Sequence, residues 1–186
     1  YKHAIRVTET KYPNLAIVYN NLGIPLFDER KIEEAISNFK IAIKLRPNDT
    51  NAHYNLGVAL IADRKIEEAI SHYKMDIKIN PNHTKAHHNL GVALFDSHKT
   101  EEAIDHFKIA IKLNPNNAMV HYNLGIALFD NRKIDEAIFY YKMAIKINPN
   151  FTKAHYNLGR ILFDNRKIKE AIAHFKIAVK LNPNNA

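Results

Sequence analysis

Histidine recurs in this 186-residue chain at a fixed step of 34 residues, as His53, His87, His121 and His155, with His88 beside the second. Imidazole is the commonest protein ligand for transition metals, so such a ladder raises metal binding first. The spacing argues against it. Residues one step apart fall on different helices, packed helices run about 8–10 Å apart, and two nitrogens that far apart cannot share one ion. The chain has no cysteine, which removes thiolate sites and disulfides together. A second polar series keeps the same step: Asn21, Asn55, Asn89, Asn123 and Asn157, each directly before Leu-Gly. A carboxamide offers two N–H donors and an acceptor, so it can pair with a peptide bond without reading the side chain. Three Asn-x-Thr triplets, at Asn48, Asn82 and Asn150, match a glycosylation acceptor. They lie at the seams of the 34-residue units, where Thr50, Thr84 and Thr152 are expected to be helix N-caps. No Gly-rich phosphate loop and no nucleophile motif occurs, because all five glycines belong to Asn-Leu-Gly. The chemistry on offer is binding through amides, not catalysis, and no cofactor or metal is expected.

The elements that must position these residues follow from one unit, residues 50–83. A first helix is expected over roughly 51–63, with Leu56 and Leu60 four apart on a face shared with His53 and Gly57. Glycine costs a helix about 1 kcal/mol relative to alanine. Its return in every unit implies a neighbouring helix that leaves no room for a Cβ. A second helix is expected over roughly 67–79, with Ile66, Ala69, Ile70, Tyr73, Asp76 and Ile77 as its inner stripe. Glu67 and Glu68 in its first turn and Lys78 in its last suit the helix dipole, and Asn80-Pro81 ends it. Neither helix can bury its apolar face alone, so the units must stack.

Residues 118–151 carry His121, Leu124, Gly125, Ala137, Tyr141, Ala144 and Pro149. That series resembles the tetratricopeptide repeat, and the resemblance covers residues 16–186 as five repeats, 16–49, 50–83, 84–117, 118–151 and 152–185. It implies an all-α fold, a right-handed superhelical solenoid of antiparallel helix pairs, with a protein or extended peptide held in its concave groove. It also implies that the recurring histidines stand where the family has a large aromatic packing against the next helix. Protein O-GlcNAc transferases carry an asparagine ladder at the place of Asn21, Asn55, Asn89, Asn123 and Asn157, which implies a backbone clamp here; the alternative is that these amides bridge adjacent repeats by hydrogen bonds to backbone. Around them the groove wall is expected to hold Tyr54, His88, Tyr122 and Tyr156, then Phe27, Phe95, Phe129 and Phe163. Asp28, Asp96, Asp130 and Asp164 join it, with Lys85, Lys153 and Arg160.

Several residues depart from the family pattern. Arg30, Arg64, His98, Arg132 and Arg166 replace the glycine usual between the two helices, so either the turn differs or a left-handed residue is tolerated at about 1 kcal/mol. Pro25 is expected to kink the first helix of its repeat. Asp76 replaces an alanine and needs a salt-bridge partner or a place at the rim. Thr100 replaces an isoleucine. Residues 1–15 read as the second helix of a preceding repeat plus a linker, with a helix over roughly 1–11, and both ends read as cuts in a longer array.

The net charge of +8 invites a nucleic-acid reading. Much of it, however, sits in Lys pairs at i,i+4 late in each second helix, such as Lys74/Lys78 and Lys142/Lys146. That is a solvated, dipole-matched face, with no interleaved aromatics to stack bases. No membrane-spanning run is present, so a membrane enters only through flanking sequence. The compartment stays open between cytoplasm and periplasm. Two other functions fit the resemblance: the repeat region of a larger, membrane-anchored glycosyltransferase-like enzyme, or a self-assembling scaffold similar to the magnetosome-associated tetratricopeptide proteins. For the latter, exposed core positions on the last helix (Ile172, Phe175, Val179) predict self-association through repeat ends. Ile41, Met75, Ile109, Met143 and Ile177 lie about 160° from the buried stripe of each second helix, a candidate outward-facing patch.

Overall fold

The computed structural model describes residues 14–182; the helix expected over roughly 1–11 and the last seam proline, Pro183, lie outside them. Among the described residues there are ten helices and no strand. The chain divides into two compact units, residues 1–97 and 98–186. In the first, α1 (Leu15–Asp28), α2 (Ile32–Leu45), α3 (Thr50–Ala62), α4 (Ile66–Ile79) and α5 (Thr84–Asp96) follow one another. In the second these are α6 (Thr100–Leu113), α7 (Ala118–Asp130), α8 (Ile134–Ile147), α9 (Thr152–Asp164) and α10 (Ile168–Leu181). The helices pack as antiparallel pairs, α1 on α2 and α3 on α4 in one unit, α7 on α8 and α9 on α10 in the other, each second helix also meeting the first helix of the next pair.

Periodicity explains the core. Ala69, Ile70, Tyr73 and Asp76 of α4 are buried, as are Leu56 and Leu60 of α3, and Ala137, Tyr141 and Ala144 do the same in α8. The glycines report the closest approach. A Cβ on Gly57 would stand 2.5 Å from the Tyr73 ring, and one on Gly125 or Gly159 would stand 2.8 Å from Tyr141 or Phe175; Gly23 faces Phe39 in the same way. Gly57→Ala therefore gains about 1 kcal/mol of helix propensity but forces the ring out of its packed position, which costs about 1–3 kcal/mol. The expected result is a lower melting temperature. In a Tyr73→Leu background, where the ring is gone, the same change should be neutral or stabilising. Equal effects in both backgrounds would show that the glycine answers to something other than the ring.

The turns between paired helices resolve one alternative. Arg30, Arg64, His98, Arg132 and Arg166 all adopt φ between 58° and 62°. The glycine-type turn is kept and a side chain is tolerated in it. Lys31 N–H donates to Leu26 O and Arg30 N–H to Phe27 O, and the pairs Lys65–Leu60, Lys133–Leu128 and Lys167–Leu162 repeat the first of these bonds. That is the six-to-one bond of a Schellman ending with its left-handed residue after the cap. α1 continues through Pro25 to Asp28.

The seams correct another expectation. Thr50, Thr84 and Thr152 are the first helical residues, not the caps. The cap positions are Asp49, His83 and Phe151, and only Asp49 caps with its side chain, accepting from Ala52 N–H at 3.1 Å. Asn117 does the same for α7, accepting from Met119 and Val120 N–H. The hydroxyls sit one residue too late to reach back to the orphan N–H groups. Thr100 has a different use: its Oγ1 donates to Asp130 Oδ2 at 3.1 Å.

Candidate functional site

The first helices carry the asparagine series, one residue before a Leu-Gly that is buried in every repeat but the first, where Leu22 is exposed. Stepping back one residue rotates a helical side chain by about 100°, off the core face. Asn21 is exposed, and Asn55, Asn89, Asn123 and Asn157 are half-buried. In the first unit Asn55 Nδ2 donates to Asn20 Oδ1 at 3.0 Å, and Asn89 Nδ2 donates to the Tyr54 hydroxyl at 3.2 Å. In the second, Asn157 Nδ2 donates to the Tyr122 hydroxyl at 3.1 Å. These three amides bridge consecutive repeats, and they do so to side chains and not to backbone. No described residue donates to Oδ1 of Asn55, Asn89 or Asn157, so each keeps an acceptor.

The tyrosines are the anchors of this arrangement. Tyr122 is buried against Tyr141 and Phe151, with ring centroids 5.8 and 4.8 Å away. Tyr54 packs on Tyr73 and His83 in the same register. Burial raises the pKa of both phenols, and the Asn amide partly offsets it. Of the other expected wall residues, Tyr156 and Phe163 are exposed and Phe27, Phe95 and Phe129 half-buried. Lys85, Lys153 and Arg160 are exposed, and His88 is half-buried, with its pKa lowered by desolvation. Arg160 lies over the Phe129 ring, 6.0 Å from its centroid. Ile126, Phe129, Tyr141, Asn157, Arg160 and Ile161 together line a pocket of about 150 Å³.

The recurring histidines are core residues with a polar task. His53 Nε2–H donates to Pro47 O, His87 to Pro81 O, His121 to Pro115 O and His155 to Pro149 O, at 2.8–3.0 Å. Each stitches the carbonyl of a seam proline to the next first helix. That bond places the proton on Nε2 and leaves the Nδ1 lone pair facing inward. His72 Nδ1–H fills it for His53 at 3.0 Å, and His174 does so for His155 at 2.9 Å. At His121 the partner position holds Tyr140, and His121 Nδ1 has no hydrogen bond. These second-helix partners escaped the sequence reading, although a His–His spacing of 19 at His53/His72 and His155/His174 was a visible signal. Among the described residues no group of three or more acidic or imidazole side chains converges as a metal site.

Asp76 is fully buried, so the rim position is excluded. Its Oδ2 accepts from His83 Nδ1–H at 2.7 Å, while Oδ1 has no partner. Burial raises its pKa, against the pull of His83. Outward on the second helices, Met75, Ile109 and Ile177 are exposed and Ile41 and Met143 half-buried, with Phe139 beside them 55% exposed. All ten i,i+4 lysines of the second helices are exposed. No helix among the described residues is long and apolar enough to cross a membrane.

The comparisons with known proteins agree with this geometry. The tetratricopeptide-repeat profile matches residues 118–151 and 152–185, and a second TPR-repeat profile matches 25–63 and 93–131; together they cover more than half of the chain. No curated protein matches the sequence. Among solved structures, the chain is similar to a crystal structure of MamA protein, at 26% identity over 92% of this chain and 93% of that one, with a TM-score of 0.85. MamA from Desulfovibrio magneticus RS-1 is 24% identical over 91% and 96%, TM-score 0.85. YrrB, described as a TPR protein with an unusual peptide-binding site, is 20% identical over 97% and 93%, TM-score 0.81.

Proposed function

This chain belongs to the tetratricopeptide-repeat family, a family of protein-interaction scaffolds, and we propose that it holds an extended peptide or protein segment along its first helices, α1, α3 and α5 in one unit and α7 and α9 in the other. The observation that carries this reading is the state of the amide series. Asn55, Asn89 and Asn157 each commit Nδ2 to the preceding repeat. The amide plane is then fixed before any ligand arrives, and Oδ1 is held ready for an incoming N–H. An acceptor that needs no reorganisation binds at a lower entropic cost. Half-buried and exposed aromatics beside it supply sequence-tolerant contact area. The clamp is thus expected to favour backbone over side chain, with modest sequence specificity.

The test is Asn89→Ala with Asn157→Ala, measured for binding to an array of unrelated dodecapeptides and for thermal stability. One hydrogen bond contributes about 1 kcal/mol net, so binding should weaken by about fivefold or more across all peptides that bind, with a small loss of melting temperature. Binding unchanged while melting drops would make the ladder purely structural. A second reading, association between copies of this chain, is favoured by α10: Ile172 is 47% exposed where Ile36, Ile70 and Ile104 are buried. Light scattering on the same samples decides it, a mass that rises with concentration supporting association and a constant monomer mass removing it.

A further inference from the structure

One position on the first helices breaks the repeat pattern in a way the fold does not require. In the register of Arg160 the other repeats have Ile24, Val58, Val92 and Ile126. Arg160 is exposed and forms no ion pair with any described residue. Its guanidinium lies over Phe129 at 6.0 Å, and its charge is close enough to oppose the rise in the Tyr141 pKa that burial causes. It shares a pocket with Asn157, whose Oδ1 is unclaimed. The equivalent positions two repeats earlier are Val58, Ile61, Tyr73, Asn89, Val92 and Ala93: the same frame without a cation. Asp164, one turn further along α9, does not pair with Arg160, and exposed Lys153 lies two turns before it on the same face.

Resting on the groove reading above, we propose that the α7–α8–α9 pocket recognises an acidic side chain of the bound segment. Its carboxylate accepts two N–H bonds from Arg160, its backbone N–H donates to Asn157 Oδ1, and an adjacent apolar residue rests on Phe129 and Ile126. A guanidinium with no ion partner, set over the edge of an apolar pocket, keeps its planar N–H fork available to a carboxylate. The matching frame around Asn89 has no cation and carries no such preference.

The experiment probes the whole chain, its Arg160→Gln and Arg160→Glu variants and the cationless match Arg160→Val with a cellulose array of randomised dodecapeptides. Circular dichroism melts establish that all four fold. Wild-type protein is expected to retain peptides enriched in Asp or Glu next to an apolar residue. Arg160→Gln and Arg160→Val should lose that enrichment while still binding neutral peptides, with titrated acidic peptides weakened about three- to tenfold. Arg160→Glu should turn the preference toward Lys and Arg. Wild-type binding with no acidic enrichment, or enrichment that survives Arg160→Gln, overturns the charge-reading site while leaving the groove reading intact. Retention of no peptide by any of the four proteins overturns the groove reading itself.

Discussion

A variant carrying glycine at positions 30, 64, 98, 132 and 166 should melt about 5–20 °C above the natural chain. These five residues hold φ near +60°, where an L side chain costs about 1–2 kcal/mol. Glycine removes that cost but adds freedom to the unfolded chain, returning about 0.4–1 kcal/mol. A net gain of about 0.5–1 kcal/mol per turn remains. The five sites share no partners and should add, and 1 kcal/mol moves the melting point of a chain this size by about 2–4 °C. All five side chains are exposed, so little packing is lost. The change also removes four Arg charges, so a control is needed: Arg64→Gln drops a charge but keeps the Cβ and should leave stability nearly unchanged. Asn in place of glycine should give a smaller gain, since it tolerates the left-handed region without loosening the unfolded chain. A five-glycine variant melting at or below the natural protein would show that the side chains stabilise the turns by some other contact.

Those turns also mark how far the sequence could be read. The helix pairs were legible because two signals coincide in every repeat: the inner stripe of each second helix at helical spacing, and the Leu-Gly that leaves room for its aromatic ring. Tyr73 against Gly57 and Tyr141 against Gly125 are the physical form of that coincidence. The turn residue was recognised as out of pattern, yet propensity alone could not choose between a changed turn and a strained one. Packing on both sides chose, since changing the turn would shift every contact of the two helices it joins. The candidate site was legible as a set of positions and not as bonds. The asparagine spacing pointed to a ladder, but the choice of Asn20, Tyr54 and Tyr122 as its partners depends on how the first helices meet across repeats, which no local period encodes. His72 and His174 were missed for the same reason, because a hydrogen bond between two imidazoles leaves no trace in hydrophobic patterning. The seam threonines misled because an N-cap and the residue after it differ by one position, below what pattern reading resolves.

The largest solution effect of the structure's polar core is expected from acid. His72 and His174 have lowered pKa values, first because burial penalises the imidazolium, then because their partners His53 and His155 and the nearby Lys40 and Lys142 oppose further positive charge, against a smaller pull from Glu68 and Glu170. His87 and His88 are lowered by burial as well. A base whose folded pKa lies below its unfolded value of about 6.5 is neutral in the fold while the unfolded chain takes up a proton. Stability then rises with pH across that interval. It is therefore expected to be full above about pH 6.5 and to fall as pH drops below it, levelling off once the folded pKa values are passed. The chain supplies its own control, because Tyr140 already stands in the partner position opposite His121. Tyrosine should therefore be tolerated at His72 and His174. Urea unfolding of the natural chain and of His72→Tyr/His174→Tyr between pH 5 and 8 should show a shallower acid slope in the variant, smaller by the uptake of up to two protons. Asp76, whose raised pKa acts with the opposite sign at lower pH, is common to both proteins and cancels in the difference. Equal slopes would mean that the histidine pairs do not resist protonation and that the acid sensitivity, if any, resides in His87 and His88.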